Sequence, residues 1–247
     1  MHSFKAGLRN ELDLLFYRRK TVVFFLFSAI LPALLAASLH SLQPFFGLIA
    51  VSRSFPIDML GWYTMLWIPL FIFLTAADQF PGEVSSRTLK LSLLRPMTRL
   101  QVYLSKAAAL VVGVAALLVI LGLVTAICSL FAGTGGSFDA TGMFKAYAAS
   151  FVSMAALAAV FVFVSQFFGS ASGSFTFSIV LYAAAKLAPF FARPVSAFSP
   201  ASYTDWHLLW ISSTVPAGKL IVTTLFLISS CILFFSLGYF LFNRKEA

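Results

Sequence analysis

The fold class this sequence predicts is an all-α, polytopic membrane protein: six transmembrane helices, an interfacial helix ahead of them and a short cytoplasmic helix between the second and third. Three observations lead there. Of 247 residues 60% are apolar and 16% aromatic, while only 10% are charged, against roughly 25% charged in an ordinary soluble domain. The apolar residues fall in long, nearly uncharged blocks, and a block of about 18 or more is long enough to cross a bilayer as a helix. The basic residues, which set a formal net charge of +9, lie between those blocks and not along a solvated face. That placement argues against nucleic acid as a partner and makes the cations markers of topology.

Residues 1–20 carry Phe4, Leu8, Leu12, Leu15 and Phe16 at spacings of three and four, with Lys5, Arg9, Glu11 and Asp13 elsewhere around the helix. This is the pattern of an amphipathic helix lying in the inner interface. It serves as a simple anchor or as an elbow that passes force from a cytoplasmic partner. The spans follow at 21–39, 60–77, 107–131, 146–168, 174–192 and 220–242. Ala36, Ala37 and Ser38 resemble a signal cleavage site, but the patterned residues ahead of them are too many for a charged leader, so the first span is read as retained. Pro32, Pro69 and Pro189 lie within spans, where each removes a backbone hydrogen bond and favours a kink. The fourth span is dense in small residues, among them Ala149, Ser150, Ser153, Ala156 and Ala159, which permit close helix approach. Only 169–173 join spans four and five, so 78–106 is the one sizeable inner loop.

An inner N-terminus places Lys5, Arg9, Arg18, Arg19, Lys20, Arg87, Lys90, Arg95, Arg99, Lys106, Arg244 and Lys245 inside and leaves Arg53, Lys145, Arg193 and Lys219 outside. By the positive-inside rule both termini are cytoplasmic.

In the inner loop, Asp78, Gln79, Phe80, Pro81 and Gly82 are residues that stop helices. A new helix over 83–94 follows, with Glu83 in its first turn, where the helix dipole favours a carboxylate. Arg95, Pro96 and Met97 break it. Thr98 with Gln101 fits a capping box, so the next helix starts there and runs past Lys106 into the third span. A short helix slung between two spans can dock on a partner.

This stretch resembles the ABC-2 type permease family, whose members show a Glu, then a Gly-Thr, a Leu-rich run, a Pro-x-Ser/Thr-Arg turn and a Gly-Lys opening the third span. Glu83, Thr88, Leu89, Leu94, Pro96, Thr98, Arg99 and Lys106 match; Arg87 and Ser105 stand where the family has glycine. The resemblance implies that 83–94 is a coupling helix seated on a separate nucleotide-binding ATPase subunit. Its contacts would come from Glu83, Arg87, Thr88, Leu89, Leu91, Leu94, Pro96 and Arg99, with the N-terminal helix alongside. It implies a second permease chain, identical or paralogous, in the plasma membrane of a bacterium. It also implies export of an amphipathic peptide, antibiotic or lipid-like molecule, and ATP used by the partner, with no cofactor on this chain. The outer segment 193–219 looks like the family's re-entrant region: Trp206, Leu209, Trp210 and Ser213 share a helical face after Thr204 and Asp205, a candidate cap. An aromatic anchor at the interface reads equally well.

No phosphate-binding loop is visible. Gly218, Lys219 and Leu220 lack the upstream glycine and the hydroxyl residue, and 133–136 read as a turn. Cys128 and Cys231 fall in apolar blocks, where thiols pack as small hydrophobes. His2, His40 and His207 are scattered, read as solvated or interfacial, and lack partners at metal-ligand spacing. Lys186 is the charge inside a span, poised either to snorkel to the outer interface or to line a substrate path. An intramembrane protease or lipid-modifying enzyme would need a nucleophile or acid/base pair at membrane depth, and an ion-coupled transporter intramembrane carboxylates and a repeat; neither pattern is visible.

Overall fold

A chain this apolar must satisfy its backbone N–H and C=O groups from within, and in hydrocarbon that leaves helices. The computed structural model describes residues 2–46, 55–86, 98–131, 140–191, 198–212 and 215–244. Every element among them is helical. In order these are α1 (His2–Tyr17), α2 (Arg19–Phe46), α3 (Phe55–Trp62), a π-helical stretch Tyr63–Trp67, α4 (Ile68–Gln79), α5 (Pro81–Ser85), α6 (Arg99–Phe131), α7 (Ala140–Ser165), α8 (Ala171–Phe191), a 3-10 turn Pro200–Tyr203, α9 (His207–Ile211) and α10 (Ala217–Arg244).

Six of these segments are long and apolar enough to cross a membrane: Arg19–Ser38, Phe55–Ser85, Arg99–Phe131, Ala140–Ser165, Ala171–Phe191 and Ala217–Arg244. They match the expected spans in number and order, and the chain is a multi-pass membrane protein. The third begins eight residues earlier than its apolar block because the capping box forms: the Thr98 N–H donates to Gln101 Oε1 at 3.2 Å and the Gln101 N–H to Thr98 Oγ1 at 3.3 Å. At the end of the second span the expected stop is only a one-residue interruption. Phe80 is a turn residue whose backbone is distorted within the right-handed helical region, and its N–H still bonds Ala76 O at 3.1 Å while Val84 N–H bonds Phe80 O at 3.3 Å. Pro81 opens α5 as a first-turn residue, where its missing N–H costs nothing.

Helix α7 is the centre of the bundle and touches α4, α6, α8, α9 and α10. Ala146, Ala149, Ser150, Ser153, Ala156 and Ala159 are buried along it, and these short side chains let α10 approach closely. Around α7 stand α4 and α6, and α1 lies against α6. A Cβ at Gly113 of α6 would sit 3.0 Å from Phe71 and 3.1 Å from Leu15, so glycine makes room for that junction. Helices α2, α8 and α10 are peripheral and leave Leu34, Val180, Phe190 and Val222 exposed.

Two span prolines are compensated. Pro32 has no N–H to give Ser28 O, and the Tyr63 hydroxyl donates to that carbonyl at 2.9 Å. Pro69 likewise frees Met65 O, which accepts from the Tyr182 hydroxyl at 2.5 Å. Just before Pro69 the chain widens: the Ile68 N–H reaches back to Tyr63 O, the five-residue step of a π-helix. The freed carbonyls therefore become the points where α2 meets the second span and the second span meets α8.

One end of the bundle gathers α1, the end of α4, α5, the start of α6 and the end of α10. Arg99 Nη1 donates to Asn243 O at 3.0 Å, Phe80 packs edge-on against Phe242 with ring centroids 6.2 Å apart, and Tyr103 lies 5.8 Å from Tyr239. The N-terminal helix and the C-terminal end of α10 thus share one end of the molecule.

Candidate functional site

Glu11 follows Leu8 by three residues and precedes Leu15 by four, so a 3.6-residue period puts it on the stripe of α1 that faces the protein, not on the polar face expected for it. Glu11 is buried beside the buried Leu15, whereas Phe16, expected on the apolar face, is exposed. Opposite stands Lys106, two turns into α6 and with no exposed surface. A buried ammonium needs partners for its charge and its three protons. Lys106 Nζ lies 3.1 and 3.2 Å from the two Glu11 oxygens and 2.7 Å from Glu83 Oε1.

From this buried centre the charges run outward. Arg18, in the break between α1 and α2, places Nη2 3.9 Å from Glu83 Oε1 and Nη1 3.8 Å from Asp78 Oδ2. Lys20, at the start of α2, reaches both Asp78 oxygens at 3.4 Å. Three cations meet three carboxylates, so the cluster is formally neutral although its core holds one ammonium between two carboxylates. The ties bind α1, the α1–α2 break, α4, α5 and α6 into one unit. Such networks give little net stability against an apolar replacement, but losing one member strands a buried charge; the cluster fixes how α1 sits on the bundle. Glu83 Oε2 is buried without a hydrogen-bond partner.

Of the residues assigned to partner contact, Glu83 is buried and turned inward to Lys106, and Arg99 is exposed at the first turn of α6. Arg87, Thr88, Leu89, Leu91, Leu94 and Pro96 lie outside the described residues, as does the stretch 133–136. The pairing of Glu11 with Lys106, of Arg18 with Glu83 and Asp78, and of Lys20 with Asp78 was missed. The available signal was a lone carboxylate inside the apolar stripe of α1.

A second polar constellation occupies the far end. Lys186 on α8, expected to snorkel or to line a substrate path, has partners on the far segment: its ammonium bonds Thr204 Oγ1, stands 3.9 Å from Asp205 Oδ2 and lies 5.9 Å from the Tyr182 ring centroid. Thr204 and Asp205, expected to cap a helix, engage Lys186 instead, and α9 starts without a side-chain cap. Helix α9 packs on α7. His207, expected to be solvated or interfacial, is fully buried there. Neither ring nitrogen makes a hydrogen bond. Burial holds its pKa below the ordinary 6.5, while the Asp205 charge and the nearby Thr204 backbone pull the other way. Trp206 Nε1 and the Ser150 and Ser202 hydroxyls are also buried without partners. Among the described residues no three His, Cys, Asp or Glu side chains gather as a metal site would require.

No curated protein matches the chain in sequence. A family profile whose description is "Protein of unknown function (DUF2705)" matches residues 55–247. That stretch runs from α3 to the end of the chain and holds Asp78, Glu83, Lys106, Lys186 and His207 but not Glu11 or Arg18. The match covers most of the 247 residues, and the chain therefore belongs to the DUF2705 family.

Proposed function

We propose that this chain is the membrane-spanning permease subunit of an ATP-driven transporter of the ABC-2 type. In this reading ATP is bound and hydrolysed by a separate nucleotide-binding subunit, and a second permease chain, identical or paralogous, completes the substrate path. The observation that carries it is the cluster around Lys106. A loop that receives force from an ATPase must pass it to the spans through contacts that do not slip. The segment after Ser86 leaves from α5, and α5 is bonded through Glu83 and Lys106 to both α6 and α1. Displacement of that segment would move the second and third spans and the N-terminal helix together. The matches from Glu83 to Lys106 described above support the same reading. The charged end is then cytoplasmic, and the loop side chains Arg87, Leu89 and Leu91 meet the partner. Glu83 acts through Lys106 as a positioning residue. Six helices alone seldom enclose a route for a bulky substrate, which is why a second chain is required; an amphipathic or lipid-like export substrate suits so apolar a bundle.

The test is purification of the tagged full-length chain from its native membrane in mild detergent. An ATPase subunit should co-purify in near-stoichiometric amount, and Arg87→Glu together with Leu91→Asp should release it while leaving the chain inserted. Recovery of the intact chain with no ATPase would overturn the proposal.

A further inference from the structure

The segment 198–212, at the end of the bundle away from the Lys106 cluster, is held down by some of its side chains and pushed off by others. Trp206 favours docking: it is buried and shares an apolar cluster with Ala149 and Ala156 of α7 and Leu227 of α10. The Lys186 ammonium favours it too, reaching from α8 to Thr204 Oγ1 and Asp205. Lys186 stands on a fixed post, because Tyr182, one turn away on α8, donates its hydroxyl to Met65 O of the second span. Against docking stand Trp206 Nε1, both ring nitrogens of His207 and the Ser202 hydroxyl, all buried without a hydrogen-bond partner. Of the nine side-chain atoms so placed among the described residues, four fall on this one short segment. Along its other edge a gap lined by Gly61, Trp62, Met65, Asp205 and Leu208 separates the segment from the start of the second span.

A buried polar atom without a partner forfeits the hydrogen bonds that water gave it, whereas a buried apolar side chain loses nothing of the kind. Each of the four atoms therefore favours the undocked segment, where water reaches it, and the charged contact to Lys186 opposes them. A segment held by a cation against its own desolvation, with room beside it, opens locally while the spans stay packed. We propose that residues 198–212 form a lid over the ends of α7 and α8, latched by Lys186 through Thr204 and Asp205. Opening wets Trp206, His207 and Ser202 and uncovers both the Lys186 ammonium and the face of α7 that carries Ala149. The proposal is independent of the permease reading: it concerns how one end of the bundle opens, not what drives it.

The experiment places the full chain in phosphatidylcholine nanodiscs, open to water on both sides, and reads amide exchange over 204–211 at one pH above the imidazole range. A second readout is the rate at which a membrane-impermeant maleimide labels Ala149→Cys in a background of Cys128→Ala and Cys231→Ala. Lys186→Met should speed both by about tenfold, as loss of a hydrogen bond to a charged group implies, and Asp205→Asn, which leaves the span untouched, should act in the same direction. His207→Phe and Ser202→Ala should slow both by about threefold, because each removes an orphaned polar group from the docked state. Amides of 150–162 in α7 should stay protected throughout. Unchanged rates in both Lys186→Met and Asp205→Asn would overturn the latch. An equal rise over 150–162 would show a loosened bundle and no lid. Failure of both His207→Phe and Ser202→Ala to slow opening, in protein eluting like the wild type, would show that those polar groups hold the segment down, and would overturn the proposal as well.

Discussion

Lys106 shows what one buried charge demands of its surroundings. Its ammonium has no exposed surface and three protons, and the carboxylates that accept them come from two other helices. Lys106→Met should leave Glu11 and Glu83 facing one another without their cation, at a cost of about 3–5 kcal/mol, measured as a drop in the thermal midpoint of the detergent-solubilised chain. The triple variant Glu11→Gln, Glu83→Gln, Lys106→Met should recover most of that loss, because no charge is then stranded; recovery by the triple variant is what separates an ion cluster from simple packing. Glu83→Lys should be worse than Glu83→Gln, since it sets a second ammonium beside the first. At the same end Gly238 faces the Tyr103 hydroxyl so closely that a Cβ there would collide with it, while that hydroxyl donates to Phe235 O at 3.1 Å. Gly238→Val should therefore push α10 away from α6, read as faster proteolysis after residue 244.

At the scale of elements, the spans are joined where their own hydrogen bonding fails. Pro32 and Pro69 each strand a carbonyl, and a tyrosine from a neighbouring helix takes it up. Tyr63→Phe and Tyr182→Phe should each cost about 0.6 kcal/mol and no more than about 1.7, the average and the maximum found for hydrogen bonds between helices in membranes. The double variant Tyr182→Phe, Pro69→Ala should cost less than Tyr182→Phe alone, because the alanine introduced by Pro69→Ala carries a backbone N–H that can restore the bond to Met65 O; equal losses would show that the hydroxyl is not answering the proline. The α9 segment makes a pH-dependent junction. Its His207 is buried neutral with a pKa held below 6.5, so the undocked segment, with an imidazole titrating near 6.5, binds more protons than the docked one. Docking is then complete above pH 6.5 and is lost progressively as pH falls below it. Amide protection over 204–211, corrected for the intrinsic fall of exchange with pH, should decrease on acidification below that value in the wild type and stay flat in His207→Phe. A flat wild-type profile would count against a buried neutral imidazole.

For the whole molecule, contacts place α1 and the end of α10 at one end, with Arg18, Lys20, Arg99 and Lys106 there among the described residues. Tags at both termini should be reachable only from the cytoplasm and a cysteine at Ser202 only from outside; labelling of that cysteine from the cytoplasmic side alone would contradict the orientation. The six spans, their order, the N-terminal helix and the Thr98–Gln101 capping box were all legible in the sequence. Each is a local property: hydrocarbon requires an uncharged run of a certain length, and a cap needs residues three apart. Other features depended on which helix faces which. Lys106 meets Glu11 across 95 residues and Glu83 across 23, and no period along the chain encodes that meeting. The contacts of Lys186 with Thr204 and Asp205 were not legible because those residues lie on a segment whose docking was invisible, and the burial of His207, expected to be solvated or interfacial, was missed for the same reason. A bilayer sets the length and composition of each span from the sequence alone; it leaves rotation and neighbours to side-chain packing and buried polar pairing, and those were decided only in three dimensions.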